Sequence, residues 1–165
     1  MKKRILIIGS SRCGKTSLAN CINSDDFEVM KSQAICYGEH TIDTPGEYLE
    51  SPLMHRYIIS ESQNADAVLF VLSFDQQTFS FPPNFAQVFN MEKIGVITKS
   101  DLPEKRNSRG LLLEKFREIG LEGPFFVTSS KTGEGIRELK DYLLNRKTEG
   151  DRRKSRRRPG LKRQV

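Results

Sequence analysis

Gly9-Ser10-Ser11-Arg12-Cys13-Gly14-Lys15-Thr16 fits G-x-x-x-x-G-K-[ST], the phosphate-cradling P-loop, and its neighbours supply the context that the motif requires. Ahead of it, Arg4-Ile5-Leu6-Ile7-Ile8 is a short apolar run that reads as a buried parallel strand. Behind it, Lys15 to Asn23 sets Leu18, Ala19 and Ile22 at helical spacing without a proline. The spacing predicts strand, glycine-rich turn, helix. Gly9 and Gly14 let the backbone curl with its N–H groups aimed inward, and the helix start adds the positive end of its dipole. In such a loop Lys15 reaches the β- and γ-phosphates as a point charge, and Thr16 offers a hydroxyl to Mg²⁺. A glycine turn with a solvated lysine is the plain alternative. Chance produces the four specified positions in a chain this long on the order of 1% of the time.

The 165 residues fit one domain and are too few for a nucleotide domain with a separate substrate domain. The apolar stretch Ala67 to Leu72 is strand-length, so no transmembrane span is expected. Met1-Lys2-Lys3-Arg4 and the run after it superficially resemble a signal peptide, but the apolar part stops at Gly9. Cys13, Cys21 and Cys36 are scattered without C-x-x-C spacing, which suggests free thiols in a reducing cytoplasm. The net charge of +6 is unevenly placed: residues 146–165 hold ten Lys/Arg and two acidic residues, leaving 17 basic and 19 acidic in residues 1–145. A domain over 1–145 and a disordered basic tail over 146–165 are expected. The tail is either a solvated extension or a contact for an anionic surface, a nucleic acid or an acidic partner. No specific nucleic-acid motif accompanies it, and it has no cysteine for lipidation.

Strands alternate with helices along the chain. A hairpin is expected over Gln33–Tyr37 and His40–Ile42, a helix over Leu53–Asn64, strands at Ala67–Leu72, Lys93–Thr98 and Pro124–Thr128, and helices at Leu111–Ile119 and Gly135–Asn145. That order argues for an α/β doubly wound sheet with its ligand at the carboxyl ends of the strands. Three more clusters fall at those ends. In Asp43-Thr44-Pro45-Gly46 an aspartate can serve Mg²⁺ and the Gly46 N–H the γ-phosphate, although the string alone is also a good turn. In Thr98-Lys99-Ser100-Asp101 the Asp101 carboxylate can accept from both guanine N1–H and its amine, while Lys99 lays its stem along the base. In Ser129-Ser130-Lys131 a backbone N–H is placed for the guanine O6.

With these four motifs in order, residues 3–145 resemble the small GTPase class of P-loop proteins, with its GxxxxGK[ST], DxxG, [NT]KxD and S-A-K strings. A closer likeness is to the EutP/PduV family of ethanolamine- and propanediol-utilisation proteins, nearer the PduV branch. Gly9 to Leu18 (including Ser17), Lys31-Ser32-Gln33-Ala34-Ile35, Ile42 to Glu50 and Thr98 to Asp101 carry it. The resemblance implies a P-loop NTPase of three layers, α/β/α, with a six-stranded mostly parallel sheet. It implies GTP/GDP and Mg²⁺ as ligands, with Ser32 as the switch hydroxyl joining Thr16 and Asp43 at the metal. It also implies a place in bacterial microcompartments, with shell proteins as partners.

Departures from the class pattern set further expectations. Glu47 stands where many signalling GTPases carry the glutamine that orients water, and a carboxylate beside a triphosphate is repelled. With Lys15, Gly46 and Glu47 as the catalytic set, slow hydrolysis follows; Glu47 as a plain surface residue is the alternative. Arg12 is either an arginine finger in cis or solvent-facing. Thr98 in place of asparagine weakens a link to the P-loop, and Ser130 in place of alanine is a mild change. Phe74, Phe79, Phe81 and Phe85 around Pro82-Pro83 pack the core or dock a partner. Two rival functions stay open: a non-hydrolysing docking module, and a P-loop kinase for a small metabolite.

Overall fold

A computed structural model describes residues 4–23, 35–38, 40–103 and 108–156. In chain order it contains β1 (Arg4–Ile8), α1 (Lys15–Asn23), β2 (Cys36–Tyr37), β3 (Thr41–Asp43), α2 (Gly46–Glu50), α3 (His55–Glu61), β4 (Ala65–Ser73), β5 (Glu92–Thr98), α4 (Ser108–Ile119), β6 (Phe125–Val127) and α5 (Ile136–Arg156). The strands form one sheet in the order β2-β3-β1-β4-β5-β6. β1 pairs in parallel with β3 and β4, β4 with β5, and β5 with β6, while β2 runs antiparallel to β3 as the expected hairpin. The fold is the six-stranded, mostly parallel, three-layer α/β/α arrangement expected from the sequence.

Strict alternation along β1 makes the three layers. Leu6 and Ile8 pack into one core with Leu49, Ile58, Leu112 and Phe116, from α2, α3 and α4. Ile5 and Ile7 pack into the other with Leu18, Ile22, Leu139 and Leu143, from α1 and α5. Each such side chain contributes about 1.5–3 kcal/mol on burial, so a strand apolar on both faces is stable only where helices cover both. Phe81 and Phe85 are buried and Phe74 and Phe79 pack half-buried against the first core, so the phenylalanine cluster is largely core.

Three differences from expectation have local causes. The predicted helix over Leu53–Asn64 begins with a 3₁₀ turn at Pro52–Met54 and ends in another at Ser62–Asn64, with α3 between them. Proline at the first position favours that tight start. α2 begins within the Asp43-Thr44-Pro45-Gly46 string, at Gly46, where the sequence reads equally well as a turn. α5 runs to Arg156, eleven residues past the expected end at Asn145, because Lys, Arg and Glu favour helix without needing an apolar face. Residues 146–156 are therefore helical rather than disordered. Arg146, counted with the tail, is tied to the sheet: its Nη2 lies 3.1 Å from Asp66 Oδ1 and its Nε 3.1 Å from Glu92 Oε2.

β1 is the topological switch point, since the chain leaves it for β3 on one side and β4 on the other. A crevice outside the carboxyl end of β1 is where such sheets take ligands.

Candidate functional site at the carboxyl end of the sheet

Four loops meet at that crevice. The P-loop leaves β1 through Gly9, where a methyl would lie 2.6 Å from Cys13 Sγ and 2.9 Å from Val71 O. Only glycine fits there. The loop then passes Arg12 at φ 64 and Gly14 at φ 89, the left-handed steps that turn successive N–H groups inward. Lys15 is buried, and its Nζ donates to Ser10 O at 2.8 Å and to Cys13 Sγ at 3.8 Å. A buried ammonium held by a carbonyl and a thiol is an electrostatic demand for an anion. Cys13 itself is a buried thiol whose pKa is raised by burial, in spite of the Lys15 charge; it fills space rather than reacting.

Thr16 Oγ1 donates to Asp43 Oδ2 at 2.8 Å, which brings the two sequence-predicted metal ligands together. The other carboxylate oxygen, Asp43 Oδ1, is buried and has no hydrogen-bond partner. Burial pushes the Asp43 carboxyl above the usual aspartate range, partly offset by the Thr16 hydrogen bond and the Lys15 charge. A hydroxyl and an orphaned carboxylate oxygen are hard donors of the kind Mg²⁺ takes alongside phosphate oxygens. The residues fit the ion. Ser32, the third expected ligand, lies outside the described residues. Thr44 Oγ1 donates to Ile7 O at 2.8 Å and pins the Asp43 loop to β1.

Gly46 opens α2 pressed against the P-loop: a methyl on it would stand 2.5 Å from Ser11 Oγ and closer still to Ser11 N and Cα. One helical turn on, Glu50 accepts a hydrogen bond from Ser11 N at 2.9 Å. Glu47 is exposed in the first turn of α2. His55 joins α3 to α2, its Nε2 2.7 Å from Leu49 O and its ring centroid 5.1 Å from that of Phe85.

The Thr98–Asp101 loop is tied to the P-loop by two bonds. The Thr98 hydroxyl donates to Cys13 O, so threonine makes the link that asparagine makes in the class pattern. Lys99, at φ 62, donates from Nζ to Arg12 O at 2.6 Å. The same ammonium meets Asp75 Oδ1 and Oδ2 at 3.2 and 3.0 Å. Burial would raise the Asp75 carboxyl, but hydrogen bonds from Ser73 and Lys99 and the lysine charge hold it below the usual range. Asp101 Oδ1 accepts from Ser129 Oγ at 2.8 Å, joining the two expected base-recognition loops. Within Ser129–Gly135, internal hydrogen bonds use the N–H groups of Ser129, Thr132, Gly133 and Glu134. Those of Ser130 and Lys131 take no part in them. Ser100 Oγ donates to Glu134 Oε2 at 2.7 Å and closes the set. Arg12 is exposed.

Sequence reasoning passed over Asp75, Gln76 and Glu134, and quoted Glu50 only as part of a likeness. Gln76 Nε2 lies 3.4 Å from Ser10 Oγ, and its Oε1 accepts from Ser73 N at 3.1 Å. Ser73 to Gln76 thus brace the P-loop on one side and Lys99 on the other. Their signal was positional: they follow the carboxyl end of β4, next to the switch point.

Comparison with known proteins agrees with this geometry. The family model PduV-EutP, described as ethanolamine utilisation - propanediol utilisation, matches residues 1–145. The propanediol utilization protein PduV of Citrobacter freundii is 37% identical over 142 residues, spanning 86% of this chain and 93% of its own. The "Probable acetate kinase EutP" of Salmonella typhimurium is 32% identical over 145 residues, spanning 86% and 89%. Among solved structures, translation elongation factor SelB from Methanococcus maripaludis, in complex with the GTP analogue GppNHp, superposes with a TM-score of 0.65 at 21% identity. It covers 88% of this chain and 34% of SelB. Era from Aquifex aeolicus, bound to GDP·AlF4⁻, gives 0.58 at 18% identity, covering 88% and 57%. At such identities these two show the shared fold. The P-loop, the paired Thr16 and Asp43 and the family match over nearly the whole described domain together place this chain in the PduV-EutP family.

Proposed function

We propose that this protein binds GTP with Mg²⁺ and hydrolyses it slowly, as a nucleotide-dependent component of ethanolamine or propanediol utilisation. The observation that carries the reading is the convergence of four strand-end loops, each tied to a neighbour by named side-chain bonds. In it, the N–H groups of Ser10 to Ser17 and the Lys15 ammonium hold the phosphates. Lys99 and Asp101 select guanine, with the N–H groups of Ser130 and Lys131 near its O6. Thr16, Asp43 and Ser32 would hold the metal, which would supply neutralisation of the phosphate charge. Gly46 meets the terminal phosphate, and catalysis rests on positioning water in line with it. Glu47 is a poor group for that task, since its charge opposes the phosphate, and slow turnover follows. The nucleotide-binding domain over 1–145 and the basic segment after it act as separate parts, the latter meeting an anionic or acidic partner, a microcompartment shell among them.

A second reading has one specific observation in its favour: EutP relatives at 32% identity carry the name "Probable acetate kinase". The same site would then pass the terminal phosphate to a small carboxylate instead of water. The deciding experiment is calorimetry with GTP and ATP in the presence of Mg²⁺, followed by phosphate release and by acyl-phosphate trapping with acetate on the same sample. Tight GTP binding with slow phosphate release supports the GTPase. Acyl phosphate supports the kinase, GTP binding without turnover supports a docking module, and a preference for ATP overturns the base-recognition assignment.

A further inference from the structure

The carboxylate that meets the P-loop belongs to Glu50. Gly46 and Glu50 are four residues apart, hence on one face of α2, and that face rests on Ser11 at both points. We propose that Glu50 is a specificity-determining residue that discriminates against triphosphates, by holding the Ser11 N–H that a terminal phosphate has to take. The proposal rests on the guanine-nucleotide reading above.

The amides at the start of α1 face the inner phosphates, because a helix N-terminus draws the anion nearest to it. Thr16 and Asp43, joined by a hydrogen bond, would hold the metal, which would neutralise phosphate charge on that side of the crevice. Ser11 lies against Gly46, and on the guanine-nucleotide reading, in which Gly46 meets the terminal phosphate, Ser11 stands at that end of the crevice. A diphosphate leaves the Ser11–Glu50 bond intact. A triphosphate brings a second anion to the same donor. One N–H cannot serve both at full strength, and two anions at that separation repel. Triphosphate binding therefore requires Glu50 to withdraw and loosens α2, whereas diphosphate binding does neither. Glu50 is exposed, so water moderates the repulsion, and an effect of about tenfold is expected rather than several orders of magnitude.

The test uses the full chain. Glu50→Gln removes the charge at nearly constant shape, and Glu50→Ala removes the acceptor; unchanged thermal midpoints confirm that both variants fold. Affinities for GDP and for a non-hydrolysable GTP analogue are measured with Mg²⁺, together with those for inorganic pyrophosphate and tripolyphosphate. Exchange of the Ser11 amide proton is followed by NMR in the nucleotide-free protein. The expected result is a rise of about tenfold in triphosphate over diphosphate affinity in Glu50→Gln, and faster Ser11 exchange in Glu50→Ala. An unchanged affinity ratio, a weakened triphosphate, or unchanged Ser11 exchange each overturns the proposal. If the wild-type chain binds no guanine nucleotide, the functional reading has failed; the inorganic polyphosphates and the Ser11 amide still decide the role of Glu50.

Discussion

Gly46→Ala tests the junction between α2 and the P-loop directly. Ordinary contact for a methyl begins at 3.4 Å, yet this one would stand 2.5 Å from Ser11 Oγ and nearer still to two backbone atoms of Ser11. A side-chain hydroxyl can rotate away, but backbone cannot, so α2 has to retreat from the P-loop by about 1 Å or more. Overpacking of that kind costs about 1–3 kcal/mol. On the proposed function, in which Gly46 meets the terminal phosphate, the retreat would draw its N–H away and fill the gap with a methyl. GTP affinity should fall at least about tenfold, while GDP, which ends short of Gly46, should change by less than about threefold. The sign is opposite to that for Glu50→Gln, because the methyl obstructs the phosphate instead of freeing a donor for it. Calorimetry with both nucleotides, beside a thermal melt, reads the difference. A folded Gly46→Ala protein with wild-type GTP affinity and turnover would refute the placement of Gly46 at the terminal phosphate.

Other substitutions probe the base side. Asp101→Asn should relax the preference for guanine by about 10–100-fold and favour xanthine nucleotides, read by competition binding; an unchanged base profile would show that the loop does not recognise the base. Thr98→Val leaves the buried Cys13 carbonyl without its donor, and a loss of about 1–2 kcal/mol is expected in urea unfolding. Asp75→Asn unpairs Lys99 and should weaken GTP and GDP alike by a few-fold, with no change in their ratio. Because the Asp75 carboxyl is lowered in the folded protein, its contribution to stability is present above the ordinary aspartate range and fades as pH falls through the lowered value. Its side chain is half exposed, so the stability effect stays below about 1 kcal/mol. A wild-type and Asp75→Asn pair of melts at neutral and acid pH should converge at the acid end.

What could be read before the structure, and what could not, divides along sequence separation. β1, α1 and the four strand-end strings are local: periodicity and turn chemistry within about ten residues identify them. The Ser11–Glu50 bond spans 39 residues and the Asp75–Lys99 pair 24, and no local pattern encodes either. Asp75 and Gln76 follow a strand rich in apolar residues and look like ordinary turn polars until β5 brings Lys99 beside them. α2 escaped notice because Asp43-Thr44-Pro45-Gly46 is equally good turn chemistry, and only packing of Leu49 beneath the sheet favours a helix after it. The end of α5 was misplaced for the converse reason. Its apolar stripe stops at Leu144, but the backbone continues helical on propensity alone.

α5 starts directly after the loop that begins at Ser129, where Gly135, at φ 69, allows only a glycine beneath Val127. Arg146, about 15 Å further along the axis, is clamped to Asp66 and Glu92, at the amino ends of β4 and β5. The helix is thus a strut running from the carboxyl ends of the strands to their amino ends, and its backbone continues to Arg156. On the proposed function, a partner bound at the far end of that strut would leave the nucleotide crevice open to exchange. Tethering and turnover, if both occur as proposed, would then act at opposite ends of one helix and be mechanically separable.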